Sequence, residues 1–280
     1  MPNFASTTSI LTFAALMAAA TPAEAAGRGR TETSRLAYSV SLAGIPIVAA
    51  DLVVNDGAGR YALALDWRTT GLAEIFAGAH GAVTAAGRFG AAKPSPERYH
   101  LGGTTGRTRL EVSLAMSGGR VRSVATEPKT RPSDDLIPLG PEHRAGVLDP
   151  LSAVLAPARD DGAGVCARTV PIFDGWSRYD VRLAPKTTRA TAPAGFVGPV
   201  QVCSVRWVPI AGHRTRHNAT RYMADNTDME IAYARLDGRD YWIPVDVSVR
   251  TMVGTAHASL ETATVATAPT VQRRRTRLRS

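Results

Sequence analysis

The sequence predicts a mainly β protein, an antiparallel barrel or half-open curved β-sheet with one or two short helices. Three observations predict it. Apolar residues recur with a period of two along many segments, turn residues punctuate those segments, and runs with helical periodicity are scarce. One face buried and one face wet is the antiparallel pattern, and that much half-buried strand must close into a barrel or stack as two sheets.

In chain order, the first segment is not part of the fold. Residues 1–25 read as a secretory signal peptide: Ile10 to Ala20 is apolar apart from Thr12, and Thr21-Pro22 breaks the run. Ala23-Glu24-Ala25 offers small residues at the cleavage positions, so cleavage is expected after Ala25. The apolar run is too short to span a bilayer, and no later stretch approaches that length. Export to the periplasm is the implied localisation. Residues 26–34 are expected to form a flexible lead-in, 35–266 a single β-rich domain and 267–280 a disordered tail. The prolines between Ser95 and Gly140 mark the weakest point of that domain, but strand-like runs continue through them.

Leu36, Tyr38, Val40 and Leu42 alternate with Ser39, Ser41 and Ala43, and Tyr61, Leu63, Leu65 and Trp67 with Ala62, Ala64, Asp66 and Arg68. Leu110, Val112, Leu114 and Met116 repeat the pattern, as do Tyr179, Val181 and Leu183. Tyr241 to Val249 is the longest row. Asn55-Asp56-Gly57, Ser117-Gly118-Gly119, Asp174-Gly175 and Asp237-Gly238 supply tight turns between such runs. Pro244 predicts an edge or a bulge within the last row. Gly71 to Ala79 has room for two helical turns, with Leu72, Ile75 and Phe76 at helical spacing. Asp149 to Ala156 is the better helix: Asp149 can cap it, Pro150 suits its first position, and Pro157 stops it. The residues around Asn218-Ala219-Thr220 read as a loop.

Net charge is +9, from 33 basic and 24 acidic residues. Only Lys93, Lys129 and Lys186 are lysines; this arginine bias, alongside abundant Ala and Gly, is what a GC-rich genome produces without selection for a ligand. Arg273, Arg274, Arg275, Arg277 and Arg279 crowd the tail. In an exported protein a basic tail implies no nucleic-acid partner; anionic envelope lipid is the functional alternative to a plain solvated tail. The two cysteines, Cys166 and Cys203, are an even count in an exported chain and predict a disulfide, against the alternative of two buried thiols.

Catalytic signatures are weak. Gly175-Trp176-Ser177-Arg178-Tyr179 begins like a nucleophile elbow but lacks its second glycine and its helix. His213 and His217 have metal-ligand spacing, yet arginines surround them and no carboxylate lies between them. His80, His100, His143 and His257 stand singly. Asp134-Asp135 and Asp160-Asp161 are adjacent in loops, whereas glycoside hydrolysis needs carboxylates facing each other across a cleft. No phosphate loop or dinucleotide fingerprint is present, so no cofactor and no metal site is expected.

One constellation remains as a candidate ligand site: Asp174, Trp176, Arg178, Asp180 and Arg182. Arg178, Asp180 and Arg182 share one strand face, where Asp180 can pair with either arginine. Facing solvent, such a ladder contributes little; facing a groove, it would orient an anionic or amphiphilic ligand.

Tyr38 with Gly44-Ile45-Pro46-Ile47, then Thr70-Gly71-Leu72 and Gly146-Val147-Leu148-Asp149-Pro150-Leu151, form a recurring combination with Cys166, Phe173-Asp174-Gly175, Arg178-Tyr179-Asp180 and Cys203. On these residues the chain resembles the exported bacterial family called domain of unknown function 3108, over roughly residues 35–265. Trp176-Ser177 and the Arg-rich tail depart from the pattern. The resemblance implies an exported β-rich protein and no particular activity. Three functions follow in order of preference: binding of a hydrophobic or amphiphilic, lipid-like ligand in the concave face; an envelope-interaction protein with a filled core; and a hydrolase with an unrecognised site.

Overall fold

A computed structural model describes residues 31–266, apart from 72, 75–77, 91–92 and 159–161. The expected signal peptide and Arg-rich tail, Asp160-Asp161, and Leu72, Ile75 and Phe76 of the helix expected from Gly71 lie outside the described residues, and Ala79 at its expected end begins β4. The period-2 rows become two antiparallel meanders. The first comprises β1 (Glu32–Leu42), β2 (Ile45–Gly57), β3 (Arg60–Thr69), β4 (Ala79–Phe89), β5 (Pro94–Thr105), β6 (Thr108–Ser117) and β7 (Arg120–Glu127). The short β8 (Ala156–Pro157) precedes the second: β9 (Arg168–Phe173), β10 (Arg178–Arg189), β11 (Phe196–Ala211), β12 (Met229–Leu236), β13 (Tyr241–Thr251) and β14 (Gly254–Ala266). Pairing of β1 with β14 fuses the meanders into one 14-stranded sheet, with β7 and β9 at its ends and β8 paired to β13. The proline-rich region is therefore strand of the same sheet from Ser95 to Glu127, and irregular connecting chain from Pro128 to Gly140.

Turn chemistry places most of the hairpins. Gly118 and Gly119 both take positive φ between β6 and β7. The turn expected at Asn55-Asp56-Gly57 falls slightly later, at Ala58-Gly59, because β2 continues through Gly57. Pro244 sits at a bulge in an interior strand, opposite the shift between Ala232 and Tyr233. Its carbonyl accepts the Tyr38 hydroxyl at 2.8 Å.

No ladder joins β7 to β9. The segment between them does that work. Gly146 N–H donates to Gly119 O at 2.7 Å, Leu148 N–H to Pro171 O at 2.8 Å, and Phe173 N–H to Leu148 O at 2.9 Å. The turn after β9 then reaches back across the gap: a Cβ on Gly175, whose φ is +100°, would lie 2.6 Å from Val112 Cγ1 on β6. Trp176 Nε1–H donates to Pro128 O at 2.9 Å.

These contacts carry apolar side chains inward. Val147, Leu151, Leu155 and Phe173 pack in one cluster with Leu36, Val54, Tyr61, Leu63, Val112 and Leu114 from the first meander and Leu236, Ile243 and Val245 from the second. Self-filling replaces the concave interior expected to hold a ligand. Burying each such side chain contributes about 1.5–3 kcal/mol. A second cluster holds Leu148, Val165, Val170, Leu183, Tyr233 and Trp242 around Cys166 and Cys203, which are joined in a disulfide.

Two helix expectations change. Asp149 to Ala156 forms only a 3-10 turn at Ser152–Val154, because the chain must leave it extended at Leu155 to pair β8 with β13. The expected loop at 218–220 is instead the start of a helix. Besides α1 (Ala163–Cys166), the chain forms α2 (Asn218–Asp225), whose end is tied down by Arg206, with Nη1 and Nη2 donating to the carbonyls of Ala224, Asp225 and Asn226. A guanidinium at a helix C-terminus satisfies carbonyls that lack intrahelical partners. Among the described residues no helix is long and apolar enough to cross a membrane.

Candidate functional site

Register across the first meander determines which outward side chains stand together. One row runs Asn55, Ala62, Ala86, Arg98, Ala115 and Ser123, and the next Val53, Ala64, Thr84, His100, Ser113 and Ala125. Inward neighbours such as Leu63, Ala85, Tyr99 and Leu114 are core. Small side chains on adjacent strands leave a trough of about 680 Å³ across β3 to β7, floored mainly by Ala62, Ala64, Ala86, Ala115 and Ala125. Arg98 is its one formally charged lining residue, and His100 stands beside it with Nδ1 3.0 Å from Ser113 Oγ.

The trough continues at His100 into a second, polar stretch of about 640 Å³ lined by Asp66, Arg68, His80, Thr104, Arg109 and Glu111. Here the charges are mutually engaged: Arg109 bonds Glu111 at 2.9 Å, and Arg68 lies 3.8 Å from Asp51. Beneath this stretch Gly81 makes room for Trp67 on the opposite face, since a Cβ there would lie 2.9 Å from the indole ring.

None of the five sequence-predicted site residues lines this trough. Asp174 is consumed by its own turn: Oδ1 accepts the N–H groups of Trp176 at 2.9 Å and Ser177 at 2.6 Å, and Oδ2 accepts the Ser177 hydroxyl at 2.7 Å. Trp176 packs against the main core. Arg178 and Asp180 form a largely buried ion pair at 2.7 Å. Arg182 is exposed and stands opposite Arg206 in the β10–β11 register, so Asp180 pairs with one arginine only. His213 and His217 do not share a helix: His217 immediately precedes α2 without a side-chain capping bond, while His213 stacks edge-on against Trp207 with ring centroids 4.8 Å apart. Burial holds the His213 pKa below its ordinary value, opposed by the charge of Asp174 and a hydrogen bond to the Arg178 backbone carbonyl. Among the described residues no group of three or more His, Cys, Asp or Glu could hold a metal ion.

Two buried polar clusters escaped the sequence reading. Asp149 is fully buried; its Oδ1 accepts Ser152 N–H at 2.8 Å, and Tyr61 donates to Ser152 Oγ at 2.9 Å. Burial pushes the Asp149 pKa up to about 6, against the bonds from Ser152. Arg239 is equally enclosed, bonded to Glu32 and, at 3.1 Å, to Asp56, whose Oδ1 also accepts the Tyr241 hydroxyl at 3.2 Å. Burial raises the Asp56 pKa, with Arg239 pulling the other way. The trough had a signal in the sequence: the central outward positions Ala62 and Ala64 in β3, Ala82, Thr84 and Ala86 in β4, and Ser113 and Ala115 in β6 are small where Lys and Glu would be ordinary.

Fold and site together define a class: an open, curved antiparallel sheet, plugged by its own connecting segment, with a small-residue trough on an outward face. The chain belongs to the family described as protein of unknown function DUF3108, whose model matches residues 37–261. No curated protein matches it. A similar solved structure is the β-barrel-like protein of domain of unknown function DUF1849 from Brucella abortus, at 9% identity and a TM-score of 0.48, covering 85% of this chain and 98% of that one.

Proposed function

We propose that this is an exported, periplasmic, non-enzymatic protein that binds an anionic amphiphile along the trough of β3 to β7. The supporting observation is the composition of that trough: alanines on β3 and β4 and on β6 and β7 give apolar floor on either side of Arg98 and His100, which stand mid-trough on β5 with no carboxylate in the lining. Its volume falls in the range of small-molecule sites, about 300–1,000 Å³. An acyl chain would lie over the alanines while a carboxylate or phosphate meets the guanidinium. The reading of residues 1–25 as a signal peptide and the disulfide fit export.

Binding of a fluorescent long-chain carboxylate to the purified protein, together with native mass spectrometry of material isolated from the periplasm, tests the reading. Ala86→Trp should fill the floor and Arg98→Glu should repel the head group, each weakening binding at least tenfold with thermal stability unchanged. Equal binding by parent and both variants would refute the trough. The filled core supports a second reading, an envelope-interaction protein without a small ligand. Absence of any bound amphiphile in both measurements would favour it.

A further inference from the structure

Five large apolar side chains are exposed among the described residues, and three of them share one end of the sheet: Ile45 at 56%, Met252 at 60% and Val253 at 75%. Ile45 follows the β1–β2 turn, and Met252-Val253 is the tip of the β13–β14 hairpin. The two hairpins are held side by side, since β1 pairs with β14 and Ala43 N–H donates to Thr255 O at 2.9 Å. Ala43, Gly44 and Pro46 are exposed beside them.

Turn chemistry does not account for these residues. Hairpin tips favour Gly, Asn, Asp and Ser, which solvate well and make local hydrogen bonds. In the β13–β14 turn the side-chain bonds come from Thr251 instead: its hydroxyl donates to Gly254 O at 2.6 Å and accepts Val253 N–H at 3.3 Å. Met252 and Val253 project without serving the turn. In the other tip Ala43 sits at φ +50°, a conformation that Gly or Asn adopts at lower cost.

Charge points the same way. Residues 40–50 contain no charged side chain, and 247–260 contain Arg250 and His257 but no carboxylate. Arg250 is exposed and forms no ion pair among the described residues; its backbone N–H donates to Asp228 O at 3.0 Å, placing Asp228, just before β12, as an acidic neighbour. A protruding apolar point with a cation just behind it suits a lipid surface, where the apolar tip enters the acyl boundary and the guanidinium meets head-group phosphate.

We propose that the paired tips at Ala43–Pro46 and Met252–Val253 dock the protein on an anionic lipid surface. This site is separate from the trough. Co-flotation of the full chain with phosphatidylethanolamine/phosphatidylglycerol vesicles tests it, at low salt and at salt high enough to suppress purely ionic attachment. Met252→Asp with Val253→Asp should reduce partitioning at least tenfold at high salt, as should the turn-compatible pair Met252→Ser with Val253→Asn. Arg250→Glu should weaken binding at low salt, while Ala86→Trp in the trough should leave it unchanged. Equal partitioning of parent and tip variants overturns the proposal, as does no partitioning by the parent. A parent dimer that the tip substitutions dissociate in analytical ultracentrifugation, without loss of vesicle binding, would assign the tips to a second copy of the chain and also overturn it.

Discussion

Asp149 carries its carboxylate where charge is expensive. Its cap role was legible, because Asp followed by Pro and an apolar turn is a helix-start signal, and the side chain does accept Ser152 N–H. Its burial was not legible, since that depends on strands about 90 residues away placing Tyr61 over Ser152. With the folded pKa raised to about 6, the folded state holds this proton more tightly than the unfolded chain does. The stabilisation from that proton is complete below about pH 4 and is lost as pH rises through about 6. Asp149→Asn keeps an acceptor for Ser152 and removes the charge, so denaturant titration at pH 7.5 should show it about 1–3 kcal/mol more stable than the parent. The variant's advantage should vanish near pH 4; an unchanged difference across that range would contradict the assignment. Arg178 and Asp180 show the reverse limit: their adjacency on one strand face was readable, but whether that face meets solvent, a ligand or packed chain was not.

Among the elements, the turns were the most legible and the helices the least. Asp174-Gly175 announces a hairpin because Gly takes positive φ and Asp bonds the following amides. What the pair does beyond turning is tertiary: Gly175 leaves no room for a Cβ against Val112, on a strand more than 60 residues earlier. Gly175→Ala adds both backbone strain and overlap, and should cost about 2–4 kcal/mol, read as a lower urea midpoint at constant m-value. The 3-10 turn at Ser152–Val154 and helix α2 run opposite to local preference because β8 pairing shortens the first and Arg206 supports the second. The disulfide spans 37 residues of chain and pins α1 to β11. Replacing Cys166 and Cys203 together by serine should cost about 4 kcal/mol on chain-entropy grounds. Calorimetry showing no change would mean the oxidised link adds nothing to this fold.

For the whole molecule, the question is how a sheet with two free ends becomes one body. Fusion of β1 to β14 brings the chain's two meanders together, and Arg239 fastens the same seam by reaching from the β12–β13 turn to Glu32 and Asp56. Arg239→Met leaves those carboxylates without their cation and should destabilise by about 3 kcal/mol at neutral pH. The loss should shrink as pH falls and Asp56, whose pKa burial raises, takes up its proton; a pH-independent loss measured by thermal denaturation would point to packing alone. The sequence by itself determined the strand content, most turns and the candidate staple, because these depend on neighbours two to four residues away. It also carried the family, through motifs spread along the chain. Only the tertiary structure decided that the interior is filled, that the best groove lies on the outward alanines, and that two distant hairpin tips form one apolar point. Each of those depends on register between strands far apart in the chain, and a one-residue slip would reverse every face involved.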